Sequence, residues 1–469
     1  MSVRPRSGST AAWALGGAAL LLVAFAFRPV VEGDGVSSFA YLHALWVDHG
    51  LNVGRVFLAA ERAHVSLTPS NLDVRTSTGL TADFTPLGAA LLGTPFYLAA
   101  LLVDRSGAPI FAPGFQAAYT VASLFYGLIG LVLIASLAAA VTRSRRAALL
   151  ATAVALGATP MLYYLFLEPS YTHTFSVFVC ALFFLLWWRS GTERGARSWF
   201  ALGLLGGFMG AVRFQDGPLA AIALLDVRRR GWAPLLYPLG LGIGFAPQLV
   251  VDHTLFGTWL PHRAPAVGAP DLWPGHYLQV LISSHNGLLV WTPAFALGLL
   301  GLALVGDRRI RLAAVMALLI EIGISGAQAD WWGGHVFGMN RMLDLLPLFA
   351  VGLAQLAVRV PWIWSRIAAA GLLLWNLILM ANFDYVIRTD HNPGYLGLLT
   401  GQLQALPDAP RVLLRGGVGR ALILWPLLKQ GPNLGFGLAL LLAEAACVLA
   451  AVVVATRLLG GSGARDARQ

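Results

Sequence analysis

Apolar runs long enough to cross a membrane dominate this 469-residue chain and leave short polar loops between them. An α-helix needs about 20 apolar residues to span the hydrocarbon core of a bilayer. Because 57% of the residues are hydrophobic and 12% are charged, no soluble domain of ordinary size remains. The sequence therefore predicts an all-α polytopic membrane protein. After a first run at 11–27, the strongest candidates lie near 118–141, 148–167, 172–188, 232–251, 288–305, 312–329, 342–358, 363–382 and 433–456.

Arginine carries nearly all the positive charge, since Lys429 is the only lysine. Basic residues favour the cytoplasmic flanks of membrane helices, so the net charge of +10 indicates membrane topology and not nucleic-acid binding. The cytoplasmic clusters are 143–146, 189–197, 228–230, 308–311, 359–366 and Arg457. The outer loops are then 30–85, 168–172, 252–287, 330–341 and 383–432.

Two apolar segments are interrupted. The segment 86–103 carries Pro95 midway, which favours a re-entrant or surface-lying element. The segment 199–225 is broken by 213–218 and predicts a helical hairpin, whose turn must be buried in protein or wet. We expect one transmembrane domain over 1–469, with about 11–13 transmembrane or re-entrant helices. The first outer loop, 30–85, is long and carries interfacial helices, and the last, 383–432, is also long.

Candidate site residues collect on the outer side. Asp34 follows the first apolar run between two glycines, and its alternative role is a helix cap. Glu168 and His173 lie in a very short turn, where they suit acid, base or phosphate-binding chemistry. A hydrogen-bonded pair closing that turn is equally consistent with the sequence. Arg213 and Asp216 lie at the hairpin interruption and either serve function or pair with each other.

Two further outer loops combine glycines with polar side chains. His285 lies in the turn 283–287, and Trp331, His335 and Arg341 lie in 330–341. An interfacial aromatic belt explains the tryptophan without function. Glycines beside an arginine would let backbone N–H groups and a guanidinium approach a phosphate or a sugar. Cys180 and Cys447 lie in apolar runs, which indicates neither a disulfide nor a thiolate metal site.

Several motifs in order resemble the bacterial GT-C fold membrane glycosyltransferases. They are 33–35, 84–97, 159–173, 283–293 and 331–341, and the resemblance covers residue 11 to about residue 350. The superfamily includes protein O-mannosyltransferases and lipid A aminoarabinose transferases. The resemblance implies a multi-pass protein of the bacterial inner membrane. It would transfer a sugar, on the periplasmic face, from a polyprenyl-phosphate donor to a glycan, lipid or protein acceptor of the cell envelope.

The resemblance also implies roles for residues. Asp34 occupies the position of the catalytic base, and Glu168 is the best match to a second acidic residue. The chain lacks a clear DxD motif, which favours a reaction without cofactor or metal while leaving a divalent metal open. A phosphate leaving group is already an anion and needs cationic donors, and displacing it once inverts the anomeric carbon. The residues predicted to bind the donor phosphate or sugar are Arg341, His335, His285, Arg213, His173 and Trp331.

Two other functions fit the sequence. An envelope polysaccharide polymerase or ligase would use basic residues of a late outer loop, here Arg388, His391, Arg411, Arg415 and Arg420. A transporter of lipid-linked sugar would use the outer polar residues together with Glu321 and Glu444 as a path. It would also predict two related halves with matching helix interruptions, which the sequence does not show.

Overall fold

The fold comes from a computed structural model that describes residues 16–17, 20–66, 74–103, 107–227, 231–262, 272–387, 392–414 and 434–460. The remainder of the first apolar run and the arginines at 228–230 lie outside the described residues, as do Arg388, His391 and all of 415–433, which contains Arg415 and Arg420. The described part is helical, as the sequence predicts. A helix at 20–26 comes first. The helices that follow it are α1 (Gly35–Trp46), α2 (Gly54–Arg62), α3 (Gly88–Val103), α4 (Pro113–Thr142), α5 (Arg145–Gly157), α6 (Met161–Phe166), α7 (His173–Arg189), α8 (Ala196–Val212), α9 (Leu236–Phe256), α10 (Tyr277–Ile282), α11 (Leu288–Trp291), α12 (Pro293–Ala303), α13 (Arg308–Gly326), α14 (Leu346–Arg359), α15 (Trp362–Tyr385), α16 (Gly394–Ala405), α17 (Ala409–Val412) and α18 (Leu434–Gly460).

Five helical stretches of the described residues are long and apolar enough to cross a membrane. They are Pro113–Thr142, Ala233–Phe256, Asn340–Arg359, Trp362–Tyr385 and Gly435–Leu459. Other predicted spans are broken by proline, which has no N–H to continue the helical hydrogen bonds. The run 148–167 divides into α5 and α6 before Met161, and 288–305 divides into α11 and α12 at Thr292. These breaks fall at the ends of spans, where loops of the candidate site begin.

The interrupted segment near residue 213 forms the predicted hairpin. Its first arm is α8, and its second arm is a 3₁₀ helix, Phe214–Asp226. An α-helix rises 1.5 Å per residue and a 3₁₀ helix about 2.0 Å, so 17 and 13 residues both cover about 26 Å. The arms therefore match in length, and Arg194 and Asp226 meet at their base in a 2.8 Å ion pair. Arg213 lies at the opposite end, at the turn.

The hairpin is held against α9 by glycines. Gly203 and Gly207 of α8 lie against main-chain atoms of α9, and Gly240 and Gly244 of α9 lie against main-chain atoms of α8. A Cβ atom at any of the four would overlap the opposite backbone. Both helices thus carry a Gly-x-x-x-Gly spacing, which lets membrane helices approach closely and gain van der Waals contact. This packing fixes the position of the hairpin turn.

The element with Pro95 forms α3, a 16-residue helix that is too short for a full crossing. It packs against α1 and α4, and Gly93 lies against the ring of Tyr119. The first outer loop carries two helices, α1 and α2, as the sequence predicts for interfacial helices. The described part of the last outer loop contains α16 and α17.

Candidate functional site

The turn at Gly33 and Gly35 is docked onto the second outer loop. Gly33 has a φ of 57°, in the left-handed region, and a Cβ there would overlap the hydroxyl of Tyr171. A Cβ on Gly35 would overlap Ser170. Ser170 Oγ also accepts a 3.3 Å hydrogen bond from the Glu32 N–H and donates a 3.2 Å bond to the Glu32 carbonyl. Both glycines are required because the two loops touch.

Asp34 stands between these glycines with an exposed side chain. It occupies the position before α1, but its side chain makes no capping hydrogen bond, so the cap alternative does not account for it. The Asp34 carboxylate lies close enough to the Arg341 guanidinium and to Asp83 for their charges to interact. The negative charge of Asp34 therefore acts on the cation of the loop 330–341.

Arg341 is held by Asp330. Its Nη2 donates a 2.7 Å bond to Asp330 Oδ2, and its Nη1 donates a 3.1 Å bond to the Asp330 carbonyl. The Arg341 side chain is 12% exposed, so its positive charge is partly desolvated and has one carboxylate partner. Gly333, Gly334 and Gly338 all have positive φ, which lets the loop fold back over this pair.

His173 lies close enough to two guanidinium groups for their charges to act on it. The ring centroid of His173 is 4.3 Å from that of Tyr164, and the charges of Arg213 and Arg341 act on the imidazole. Its Nδ1 is buried without a hydrogen-bond partner in the described part of the chain. The Tyr164 hydroxyl accepts 3.1 Å bonds from the Phe337 N–H and from Asn340 Nδ2. The turn before α7 is thereby joined to the loop that carries Arg341.

Arg213 ends α8 at the hairpin turn. Its Nη2 donates a 3.1 Å bond to Gln215 Oε1, while Nη1 is buried and has no partner among the described residues. Asp216 is fully buried, and neither of its carboxyl oxygens accepts a hydrogen bond within the described chain. Arg213 and Asp216 thus form no ion pair with each other, contrary to the simplest alternative from the sequence.

Gln215 connects the two arginine segments. Its Nε2 donates a 2.6 Å bond to the Arg341 carbonyl. The same nitrogen lies 3.3 Å from Glu321 Oε2 and 3.4 Å from Asp344 Oδ2, and both of these carboxyl groups are fully buried. One amide therefore fixes the hairpin turn relative to the 3₁₀ helix Asn340–Leu345. Glu321 is part of this junction and belongs to the span α13.

Glu168 lies beside the Asp34 turn but is largely buried. Tyr163 Oη donates a 3.2 Å bond to Glu168 Oε1 and lies 3.3 Å from Asp384 Oδ1. The hydrogen bond to Tyr163 replaces the pair with His173 that the sequence left open. Burial, followed by the charge of Glu32, raises the pKa of Glu168 to about 8. At neutral pH this carboxyl group keeps its proton and can donate a hydrogen bond.

The remaining predicted residues line the edge of the site. The His285 ring stacks on Trp332 at 5.3 Å between centroids and lies 6.2 Å from Trp331. Asn286 Nδ2 donates to the carbonyl of Trp332 at 2.9 Å, which joins the turn 283–287 to the loop 330–341. His335 is exposed in the same loop. Asp34, Arg341, Arg213 and His173 therefore form the centre, with Glu168 beside it and His285, Trp331 and His335 around it.

Sequence reasoning missed Asp83. It is fully buried, accepts a 2.9 Å bond from the Thr85 N–H and interacts with the charge of Asp34. Burial raises the pKa of Asp83 to about 7. Its position directly before the segment 84–97, which carries part of the resemblance, was the available signal. Gln215 and Asp344 were also missed, although Asp344 follows Arg341 by three residues.

The described residues contain no group of three His, Cys, Asp or Glu side chains that could hold a metal ion. The positive charge at the centre of the site comes from Arg213 and Arg341. Guanidinium groups suit phosphate because their fixed N–H donors match its oxygens in pairs.

The helical fold defines a polytopic membrane protein with a GT-C-like fold. The solved structures that resemble it include ArnT from Cupriavidus metallidurans bound to undecaprenyl phosphate, with a TM-score of 0.52 and 14% identity. That comparison covers 97% of this chain and 77% of that chain. ArnT from the same organism in the apo state gives a TM-score of 0.51 and 15% identity over the same shares. No protein-family model and no curated protein matches the chain.

Proposed function

We propose that this protein is a glycosyltransferase of the bacterial inner membrane. It moves a sugar from a polyprenyl-phosphate donor to a cell-envelope acceptor on the outer face of that membrane. The observation that carries the proposal is that the loops of Asp34 and Arg341 meet through two tyrosines. Gly33 packs on Tyr171, whose ring lies 5.6 Å from that of Tyr164, and the Tyr164 hydroxyl accepts from Phe337 and Asn340 of the Arg341 loop. Asp34 and Arg341 come from opposite ends of the proposed catalytic region. The GT-C-like fold and the ArnT structure with undecaprenyl phosphate support the substrate class.

Asp34 is the proposed base. Its exposed carboxylate stands where an acceptor hydroxyl can approach from the aqueous side. In the reaction it takes the hydroxyl proton as the acceptor oxygen attacks the anomeric carbon. The bond from that carbon to the phosphate oxygen breaks, and the electron pair leaves with the phosphate. One displacement of this kind inverts the anomeric centre.

Arg341 and Arg213 are the proposed phosphate ligands. Arg341 is oriented by Asp330, and Arg213 has a buried Nη1 without a protein partner in the described chain. The charges of both groups act on His173, and that of Arg213 also acts on Arg341, so the two cations belong to one electrostatic cluster. Their charges would stabilise the departing phosphate more strongly than water does, because they are held in place and partly desolvated.

The remaining proposed roles belong to Glu168 and to the ring side chains around the site. Since Glu168 keeps its proton at neutral pH, it serves as a hydrogen-bond donor beside Asp34 and not as a second base. Trp331 and His285 would bind the sugar, with His335 at the exposed side. We propose a reaction that needs no metal, so activity should persist in EDTA. Loss of activity in EDTA and its return with Mg²⁺ or Mn²⁺ would contradict this part.

The test is complementation of a deletion strain, followed by profiling of its lipid carriers and envelope glycans. The deletion should accumulate polyprenyl-phosphate sugar, and the wild-type gene should remove it. Asp34→Asn keeps the side-chain size but removes the base, so turnover should fall about 100-fold or more. Glu61→Gln, an exposed acid of the same loop, is the matched control.

Full complementation by Asp34→Asn would rule out the proposed base. A carrier pool that is unchanged in the deletion strain would overturn the transferase and favour a transporter. Accumulated carrier attached to a whole oligosaccharide repeat would favour the polymerase or ligase.

A further inference from the structure

A second recess lies far from the candidate site. It is an apolar groove of about 360 Å³ between α5, α12, α14 and α15. Its walls include Leu150, Val154, Leu353, Trp364 and Ile367. It lies near the beginning of α15, whereas Asp384, which bonds to Tyr163 beside the candidate site, lies near the end of the same helix. Twenty residues of α-helix separate the two positions by about 30 Å.

Three arginines lie close to residues of the groove wall without lining it. The guanidinium of Arg146 lies 3.8 Å above the ring of Trp362. Arg359 and Arg366 directly adjoin residues of the groove wall, and Arg359 donates to the Leu304 carbonyl at 3.1 Å. All three arginines are exposed, and none forms an ion pair within the described chain. The groove therefore ends in positive charge that the protein does not neutralise.

The groove wall near these arginines also contains a hydroxyl group without a hydrogen-bond partner among the described residues. Ser365 Oγ is buried and has no hydrogen-bond partner among the described residues. It adjoins Arg366 and lines an otherwise apolar surface. A buried hydroxyl without a partner is costly, and a ligand oxygen placed between the groove and the arginines would satisfy it.

We propose that this groove binds an anionic diacyl phospholipid from the leaflet on the arginine-rich side of the membrane. An acyl chain would occupy the apolar walls, an ester or phosphate oxygen would accept from Ser365, and the phosphate would lie between Arg146 and Arg366. Basic recesses between membrane helices on the cytoplasmic side suit anionic headgroups, and each arginine near the surface contributes attraction. The distance of about 30 Å along α15 separates this lipid from the proposed sugar donor.

The test is native mass spectrometry of the purified full-length protein, titrated with phosphatidylglycerol or with phosphatidylcholine of the same acyl chains. We expect the protein to bind phosphatidylglycerol more tightly. The double variant Arg146→Gln and Arg366→Gln should lose about fivefold in phosphatidylglycerol affinity per arginine, leaving phosphatidylcholine affinity unchanged. Arg457→Gln, an exposed arginine of α18 that does not line the groove, should retain the preference.

A second variant tests the apolar groove without changing the nearby arginines. Ala368 lines the groove at an exposed helix position, so Ala368→Trp should fill the groove without overpacking the core. It should weaken the binding of phosphatidylglycerol at the site. Equal affinity for the two lipids in the wild type would overturn the proposal. So would a phosphatidylglycerol preference that survives both the double variant and Ala368→Trp.

Discussion

The charged side chains at the two ends of the hairpin differ in whether they form ion pairs. At its base, Asp226 accepts from Arg194 at 2.8 Å and from Arg309 at 2.9 Å and 2.7 Å. At its turn, Arg213 forms no ion pair within the described chain, and neither carboxyl oxygen of Asp216 accepts a hydrogen bond there. Both ends are largely buried, so the difference does not come from exposure to water.

The difference separates a structural cluster from a binding site. Charges that are buried and neutralised by each other hold a fold together but have little capacity left for a ligand. A guanidinium that is held in position by an amide, as Gln215 holds Arg213, keeps its charge for an anion. The base of the hairpin should therefore control stability, and its turn should control binding.

The largest effect should come from Asp226→Asn. Removing this carboxylate leaves Arg194 and Arg309 buried or half-buried without their counter-ion, which costs about 3–5 kcal/mol. Thermal unfolding in detergent measures the loss. Asp408→Asn breaks the exposed pair with Arg411 and should cost less than about 1 kcal/mol. Equal stability losses in the two variants would show that the hairpin base is not a structural cluster.

A substitution at the hairpin turn should weaken ligand binding more than it lowers stability. Arg213→Gln should weaken the binding of undecaprenyl phosphate about 10- to 100-fold, because hydrogen bonds to charged groups contribute about 1.5–3 kcal/mol. The unfolding temperature should fall less than in Asp226→Asn, since Arg213 makes no ion-pair contact within the described chain and its charge acts on Asp216, Glu321 and Asp344 only at longer range. Native mass spectrometry measures the binding. Arg197→Gln, on the exposed surface of α8, is the control. Normal lipid binding by Arg213→Gln would remove this residue from the site.

Glu168 extends the comparison to a carboxyl group that makes no ion-pair contact among the described residues, although the charge of Arg28 acts on it. Its pKa in the folded protein, about 8, exceeds the value of 4.5 for an unfolded chain, so the folded state binds more protons between these values. Stability should fall as pH rises, by about 1 kcal/mol between pH 7 and 8, with no loss below pH 4.5 from this group. Glu168→Gln should flatten the curve measured by thermal unfolding. A pH dependence that is unchanged in this variant would show that another group is responsible.

The smallest effect should come from Gln215→Leu. This change removes the 2.6 Å bond to the Arg341 carbonyl and frees the hairpin turn from the 3₁₀ helix Asn340–Leu345. One hydrogen bond of this kind contributes about 1 kcal/mol, so undecaprenyl phosphate should bind roughly threefold to fivefold more weakly. Gln404→Leu, at an exposed position of α16, should bind normally. Unchanged affinity in Gln215→Leu would show that the amide does not position the arginines.

The helical fold and the centre of the site were predictable because both leave local signals. The length of the apolar runs predicts the spans, and the interruption at Arg213 predicts the hairpin. Asp34 stands between two glycines and Arg341 follows Gly338 by three residues, in loops between apolar runs where polar residues are easily noticed. In the structure the charges of these two side chains interact, although residues far apart in sequence give no direct signal of such an interaction.

Asp83, Gln215 and Asp344 were not predictable in the same way. Asp83 and Asp344 are polar among apolar neighbours, whereas Gln215 lies between Phe214 and Asp216. The role of each depends on which loop or helix packs against it. The 3₁₀ form of the second hairpin arm also leaves no clear periodic signal, because its composition resembles that of an ordinary buried helix. Only the three-dimensional packing shows that 13 residues there reach as far as the 17 of α8.

A 3₁₀ helix rises further per residue than an α-helix, so the position of the hairpin turn depends strongly on the number of residues in the second arm. Each residue added or deleted between Phe214 and Asp226 shifts the turn by about 2 Å and rotates the chain by about 120°. Only steps of three residues restore the orientation of Asp216, and each such step moves Arg213 by about 6 Å. Evolution or engineering can therefore vary the sequence of this arm far more freely than its residue count.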